Sequence, residues 1–119
     1  MVQRTLFEKY GGFSSISKVI LSLYDQLLES EVVGDLFEDV DMDTLVDHQT
    51  KFIASLLGGP SFYTDAQIKQ IHSKLTIDDN QFDEMKEVLS QSLKDHGFET
   101  VDSDLVINAL ESRRDLIVE

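Results

Sequence analysis

Three polar side chains fall where the surrounding pattern asks for apolar ones, and their types suit ligand binding. Tyr24 lies between Ile20 and Leu27 on one stripe, and Gln49 sits amid Met42, Leu45, Val46, Phe52, Ile53 and Leu56. His72 has Ile68 four residues before it and Leu75 three after, all on one helical face. An imidazole ligates metals through a neutral nitrogen, while a phenol and an amide donate hydrogen bonds to a bound polar group. Singly, each has a plainer explanation: Gln49 bonded to a carbonyl or a trapped water, Tyr24 spanning core and solvent, His72 satisfied by a carbonyl. As a set on three helices they suggest a bound group between those helices. His48 flanks the Gln49 face and reads alone as a surface histidine, and His96, preceding Gly97, reads as a partner for a helix C-terminus.

The elements that must position these groups are helical. Apolar residues recur at helical spacing in nearly every segment and no run alternates long enough for a buried strand, so the fold class is all-α. A short helix from Leu6 to Tyr10 should end at Gly11-Gly12. The next should bury Phe13, Ile16, Ile20, Leu23, Tyr24, Leu27 and Leu28 on one stripe, followed by a short acidic stretch with Val32, Val33, Leu36 and Phe37. Asp41 or Asp43 can cap a helix to Leu57, stopped by Gly58-Gly59-Pro60. Thr64 and Gln67 form a capping-box pair for a helix with His72, and Lys74 near its end suits the dipole. Asp78, Asp79 and Asn80 offer caps for a helix carrying Phe82, Met85, Val88, Leu89 and Leu93 to Gly97, and a last helix is expected from about Ser103 to Val118.

Composition removes many functions. The sequence has 119 residues, which suits one domain over 1–119, and no internal repeat or linker is evident. Its 23 Asp plus Glu against 10 Lys plus Arg give a net charge of −13, which argues against nucleic acid or an anionic membrane surface as partner. Without cysteine there is no disulfide framework, thiolate metal site or Cys-x-x-Cys-His attachment of haem. No phosphate-binding glycine loop, nucleophile elbow, His-Glu-x-x-His or calcium loop occurs, and the acidic run from Glu38 to Asp43 reads as a solvated turn and cap. The N-terminus lacks the apolar core of a signal peptide, so a soluble cytoplasmic protein is expected.

In order and spacing, the chain resembles the group I truncated haemoglobins over nearly its whole length. The resemblance is carried by Phe7-Glu-Lys-Tyr-Gly11-Gly12, Tyr24 with Leu27 and Leu28, Leu36-Phe37 leading to Val40-Asp41-Met42, and His48-Gln49 with Phe52. Gly58-Gly59-Pro60 with Tyr63, Gln70-Ile71-His72, and Phe82-Asp83 complete it. It implies a globin-like sandwich of two helices over two that holds haem b. His72 would be the proximal ligand of haem iron, Phe37 the ring packed on haem, Tyr24 and Gln49 the distal pair, and Leu45 the distal gate. Phe52, Ile53, Ile77, Phe82, Met85 and Leu89 would wall the pocket, with Tyr63 also contacting the cofactor and Lys69 facing a propionate. His48 occupies a place where some relatives use a histidine as second iron ligand. The family's histidine tether on the last helix has no counterpart, since no histidine follows His96, so non-covalent haem is implied. Asp65 and Ile68 replace a glycine and methionine common in the family at the start of the short helix.

The implied function is reversible binding of oxygen, nitric oxide and carbon monoxide by a monomer or weak dimer. Nitric oxide dioxygenase activity, supported by a reductase, is a further implied activity. A haem-based sensor or regulatory interaction module, and a scaffold without haem, are the alternatives.

Overall fold

The computed structural model describes residues 5–73 and 77–118. Its helices are α1 (Leu6–Lys9), α2 (Gly12–Leu27), α3 (Met42–Leu56), α4 (Asp65–Ser73), α5 (Asp79–Asp95), α6 (Thr100–Glu111) and α7 (Arg114–Ile117), with a 3-10 turn at Gly34–Phe37. Among the described residues there is no strand, only an isolated bridge between Ile77 and Val118. None of these helices is long and apolar enough to cross a membrane.

Local signals set the helix starts. Asp41 accepts from the backbone N–H groups of Asp43 and Thr44 and so caps α3. Thr64 and Gln67 bond reciprocally, at 2.8 and 3.2 Å, before α4. Asp78 and Gln81 form the same reciprocal box on α5. At the other end of α5, Gly97 takes φ +91°, a backbone conformation L side chains rarely adopt.

Helix α2 is the spine. It packs on α3 and α5, α5 packs on α6, and α6 returns to α3, giving two helices over two. Ile16, Val19, Ile20, Leu23, Tyr24 and Leu27 form its buried face. Each large apolar side chain so buried stabilises by about 1.5–3 kcal/mol. Gly59 permits a close approach of α1 to the end of α3: a Cβ there would lie 2.7 Å from the Phe7 ring, and Phe7 N–H donates to the Leu57 carbonyl at 2.9 Å.

The structure corrects the expected pattern in three places. Phe13 and Leu28 are 38% and 45% exposed, although an inward place was expected for both. Phe13 stands at the mouth of the α2 stripe, edge-on to Phe7, and Leu28 lies just past the end of α2, where the chain has begun to turn. The expected last helix starts earlier, at Thr100, and breaks at Ser112 and Arg113 into α6 and α7. Lys74 and Leu75 lie outside the described residues.

Candidate functional site

Between α2, α3, α4 and α5 lies a cleft with about 710 Å³ of space between atoms, its open mouth included. Tyr24, Phe37, Leu45, Gln49, Phe52, Ile53, His72, Ile77, Phe82, Met85 and Leu89 all line it, so the three polar residues singled out by periodicity meet in one place. A smaller adjoining cavity of about 350 Å³ is lined by His48, Tyr63 and Ile68, and shares Leu45, Gln49, Phe52 and His72 with the first.

Tyr24 is 7% exposed, and its hydroxyl has no hydrogen-bond partner among the described residues. Burial pushes the phenol far above its ordinary value, so it remains a neutral O–H donor. The Phe37 ring stands edge-on to it at 5.4 Å. Gln49, on the inward face of α3, is half-buried and its amide makes no hydrogen bond among the described residues. The next residue does find a local carbonyl: Thr50 Oγ1 donates to Val46 at 2.7 Å.

His72 lies near the end of α4. Its Nδ1 is 2.8 Å from the Ile68 carbonyl, an arrangement in which Nδ1–H donates and Nε2 keeps its lone pair. Burial pushes the imidazole below its ordinary value, opposed in part by the hydrogen bond to Ile68. The neutral, ligating form is therefore favoured. Half of the plain reading is thus correct, since a carbonyl does satisfy one nitrogen, but the other nitrogen has no partner among the described residues.

The remaining expected site residues divide. His48 is exposed and lines the smaller cavity rather than the cleft, its ring 6.0 Å from that of Tyr63. Lys69 is exposed, lines neither cavity and makes no ion pair among the described residues. His96 sits apart at the end of α5, Nδ1 2.8 Å from the Ser92 carbonyl. Sequence reasoning missed Leu110 and Ile117, which close the cleft from α6 and α7. Their helical spacing with Val106 was visible, but nothing in it told which neighbour they would face.

The donor set constrains what the cleft can hold. Neither cavity is lined by a carboxylate, and no group of three metal-ligating side chains occurs among the described residues. One imidazole is too little for a bare cation. It fits a large apolar group that brings most of a metal's ligands itself and needs one axial nitrogen, with two neutral donors left to face whatever else binds.

Comparison with known proteins places this geometry. The model of the bacterial-like globin family matches residues 5–118. A group 1 truncated hemoglobin from Tetrahymena pyriformis is 32% identical over 105 residues, covering 88% of this chain and 84% of its own. The crystal structure of truncated hemoglobin from Tetrahymena pyriformis in the Fe(III) form superposes with a TM-score of 0.87 at 28% identity, covering 97% of this chain and 98% of that one. The 2/2 hemoglobin from Synechococcus sp. PCC 7002, in the cyanomet state and with covalently attached heme, shares the fold with a TM-score of 0.83 at 23% identity, over 96% and 98% of the two chains. Matched by the family model over nearly all its length, and by a relative over most of both chains, the chain belongs to the bacterial-like globins as a group 1 truncated haemoglobin.

Proposed function

We propose that this chain holds haem b non-covalently in the cleft and binds small diatomic gases there: oxygen, nitric oxide and carbon monoxide. The observation that carries the reading is the set of unpartnered polar atoms in one apolar cleft: Nε2 of His72, the hydroxyl of Tyr24 and the amide of Gln49. Haem would supply the iron at which a gas binds. His72 would hold it through Nε2, with the Ile68 carbonyl fixing the tautomer and ring orientation. Phe37, Phe52, Phe82 and Met85, which line the cleft, would exclude water from the bound group, and Leu45, also in the lining, would gate it. Tyr24 and Gln49 donate to partial negative charge on a bound gas, which slows its release. Lys69, unpaired and on the α4 surface, suits a propionate. A covalent tether is not part of the reading, because no histidine follows His96.

The same donors favour retention of oxygen long enough to meet nitric oxide. Oxygen, nitric oxide and one electron from a reductase would then give nitrate. His48, at the rim between cleft and solvent, would serve as a second iron ligand that an added gas displaces.

Absorption spectra of ferric, ferrous and carbonyl forms test this. A Soret band in the wild type, with loss of the ferrous imidazole-ligated spectrum in His72→Ala, is the expected outcome. Retained haem with unchanged ferrous coordination in that variant would remove the axial role of His72. Identical ferric spectra for wild type and His48→Ala would remove the second-ligand role alone.

A further inference from the structure

Helix α4 carries His72. Of its described side chains only Ile68 is fully buried and His72 half so, and the helix has nine residues. A helix of that length is marginal without tertiary packing. The helix that packs against it is α7, itself only four residues long with Ile117 as its one buried side chain. Helix α7 therefore needs an anchor of its own.

Arg114, the first residue of α7, provides one. Its Nη1 donates to Asp79 at 2.7 Å and Nη2 to Asp83, both on the first turns of α5. Its Nε and Nη2 reach the two oxygens of Glu111 on α6 at 2.9 and 3.0 Å. The guanidinium carbon lies 4.5 Å from the centroid of the Phe82 ring, which itself lines the cleft. Three carboxylates and one aromatic face thus use the whole planar fork. Beyond it, Val118 pairs with Ile77 in the isolated bridge that ends the segment.

We propose that Arg114 is a positioning residue of the haem site: by pinning α7 to α5 it braces α4 and sets the angle at which the His72 imidazole meets the cleft. The proposal rests on the haem reading above for its functional consequence, while the brace itself is made by protein groups alone. Because Asp79, Asp83 and Glu111 are exposed, salt should loosen the brace.

The test is hydrogen–deuterium exchange on the full haem-free chain, paired with resonance Raman of the ferrous haem-loaded protein, for wild type, Arg114→Ala and Arg114→Lys. In Arg114→Ala, exchange over 65–73 and 114–118 should rise about fivefold, with α2 and α3 unchanged. The wild type should move part of the way toward that variant in high salt, and the variant should not respond. The iron–imidazole stretch should shift or broaden in Arg114→Ala and be partly restored in Arg114→Lys, which keeps the charge but not the fork. Unchanged exchange and an unchanged band in both variants would overturn the proposal, as would exchange that rises equally in α2 and α3. A wild type that takes up no haem overturns the functional reading alone, and exchange on the haem-free protein still decides whether Arg114 braces α4.

Discussion

The cleft and the ionic clusters around it treat polar groups in opposite ways. At the junction of α1 and α6, Asp102 is 8% exposed yet held by two donors: Lys9 Nζ donates to it at 2.7 Å and the Tyr10 hydroxyl donates to the same oxygen. The Tyr10 oxygen in turn accepts from the Glu99 N–H at 3.1 Å, and its ring stacks on Phe98 at 3.7 Å. In the cleft, the Tyr24 hydroxyl, the Gln49 amide and one nitrogen of His72 are left open. Folding alone would favour closing such groups or replacing them, because an unpartnered buried polar group costs about 1–3 kcal/mol. On the proposed reading the cleft gives up stability for recognition, whereas Asp102 at the α1–α6 junction is held by hydrogen bonds within the protein.

Tyr24→Phe should break that contrast most visibly. The hydroxyl has no protein partner to lose, so the thermal midpoint of the haem-free chain should hold or rise slightly. Gas release should nonetheless speed up by about tenfold or more, the worth of a hydrogen bond to a charged acceptor. Stopped-flow displacement of bound oxygen measures the second effect and thermal unfolding the first. A clear loss of midpoint would mean that the phenol already has a partner, and the cleft would then resemble the junctions. Gln49→Leu should follow the same pattern with a smaller change in release.

Asp102→Asn examines the other side. Hydrogen bonds from Lys9 and then Tyr10 hold this carboxyl below its ordinary range, so the ionised form belongs to the folded state. A depressed value contributes stability that is complete above the ordinary carboxylate range and fades as pH falls through the folded value. The variant should therefore unfold at lower temperature than the wild type at neutral pH, by several degrees, and the two curves should converge in acid below about pH 4. Parallel melting curves across that range would show that the charge on Asp102 is not what joins α1 to α6.

Much of this contrast was legible in the sequence wherever the signal is local. The caps at Asp41, Thr64 and Asp78 depend on groups two or three residues away, and the open groups at Tyr24, Gln49 and His72 stand out because helical periodicity predicts apolar residues there. The junctions were not legible. Lys9 and Asp102 are 93 positions apart, and Arg114 meets Asp79 across 35. In a chain with 23 acidic residues, no spacing rule says which carboxylates a given cation will choose. The break between α6 and α7 was missed for a related reason. Glu111, Ser112 and Arg113 contain neither glycine nor proline, and the contacts that accompany the turn, Arg113 Nη1 donating to the Ala109 carbonyl at 2.8 Å and the Arg114 cluster, carry no local sequence signature. His48 was placed at the edge of its helix face by periodicity, and it does line the rim cavity rather than the cleft.

Ser103 tests whether being unpartnered is by itself a mark of function. Its hydroxyl is fully buried on α6 and bonds to nothing in the protein, yet it borders neither the cleft nor the rim cavity. Here the open group is fully buried and borders no part of the two cavities of the site. Ser103→Ala should then remove a polar atom at no cost in contacts and stabilise the chain by about 0–1 kcal/mol, with gas release unchanged. Chemical denaturation of the two proteins measures the first and oxygen displacement the second. A destabilised alanine variant would show that the hydroxyl is satisfied after all, by a trapped water, and a changed release rate would extend the functional cleft to α6. With neither, the property that separates Tyr24 and Gln49 from Ser103 is the empty volume in front of them, not the missing hydrogen bond.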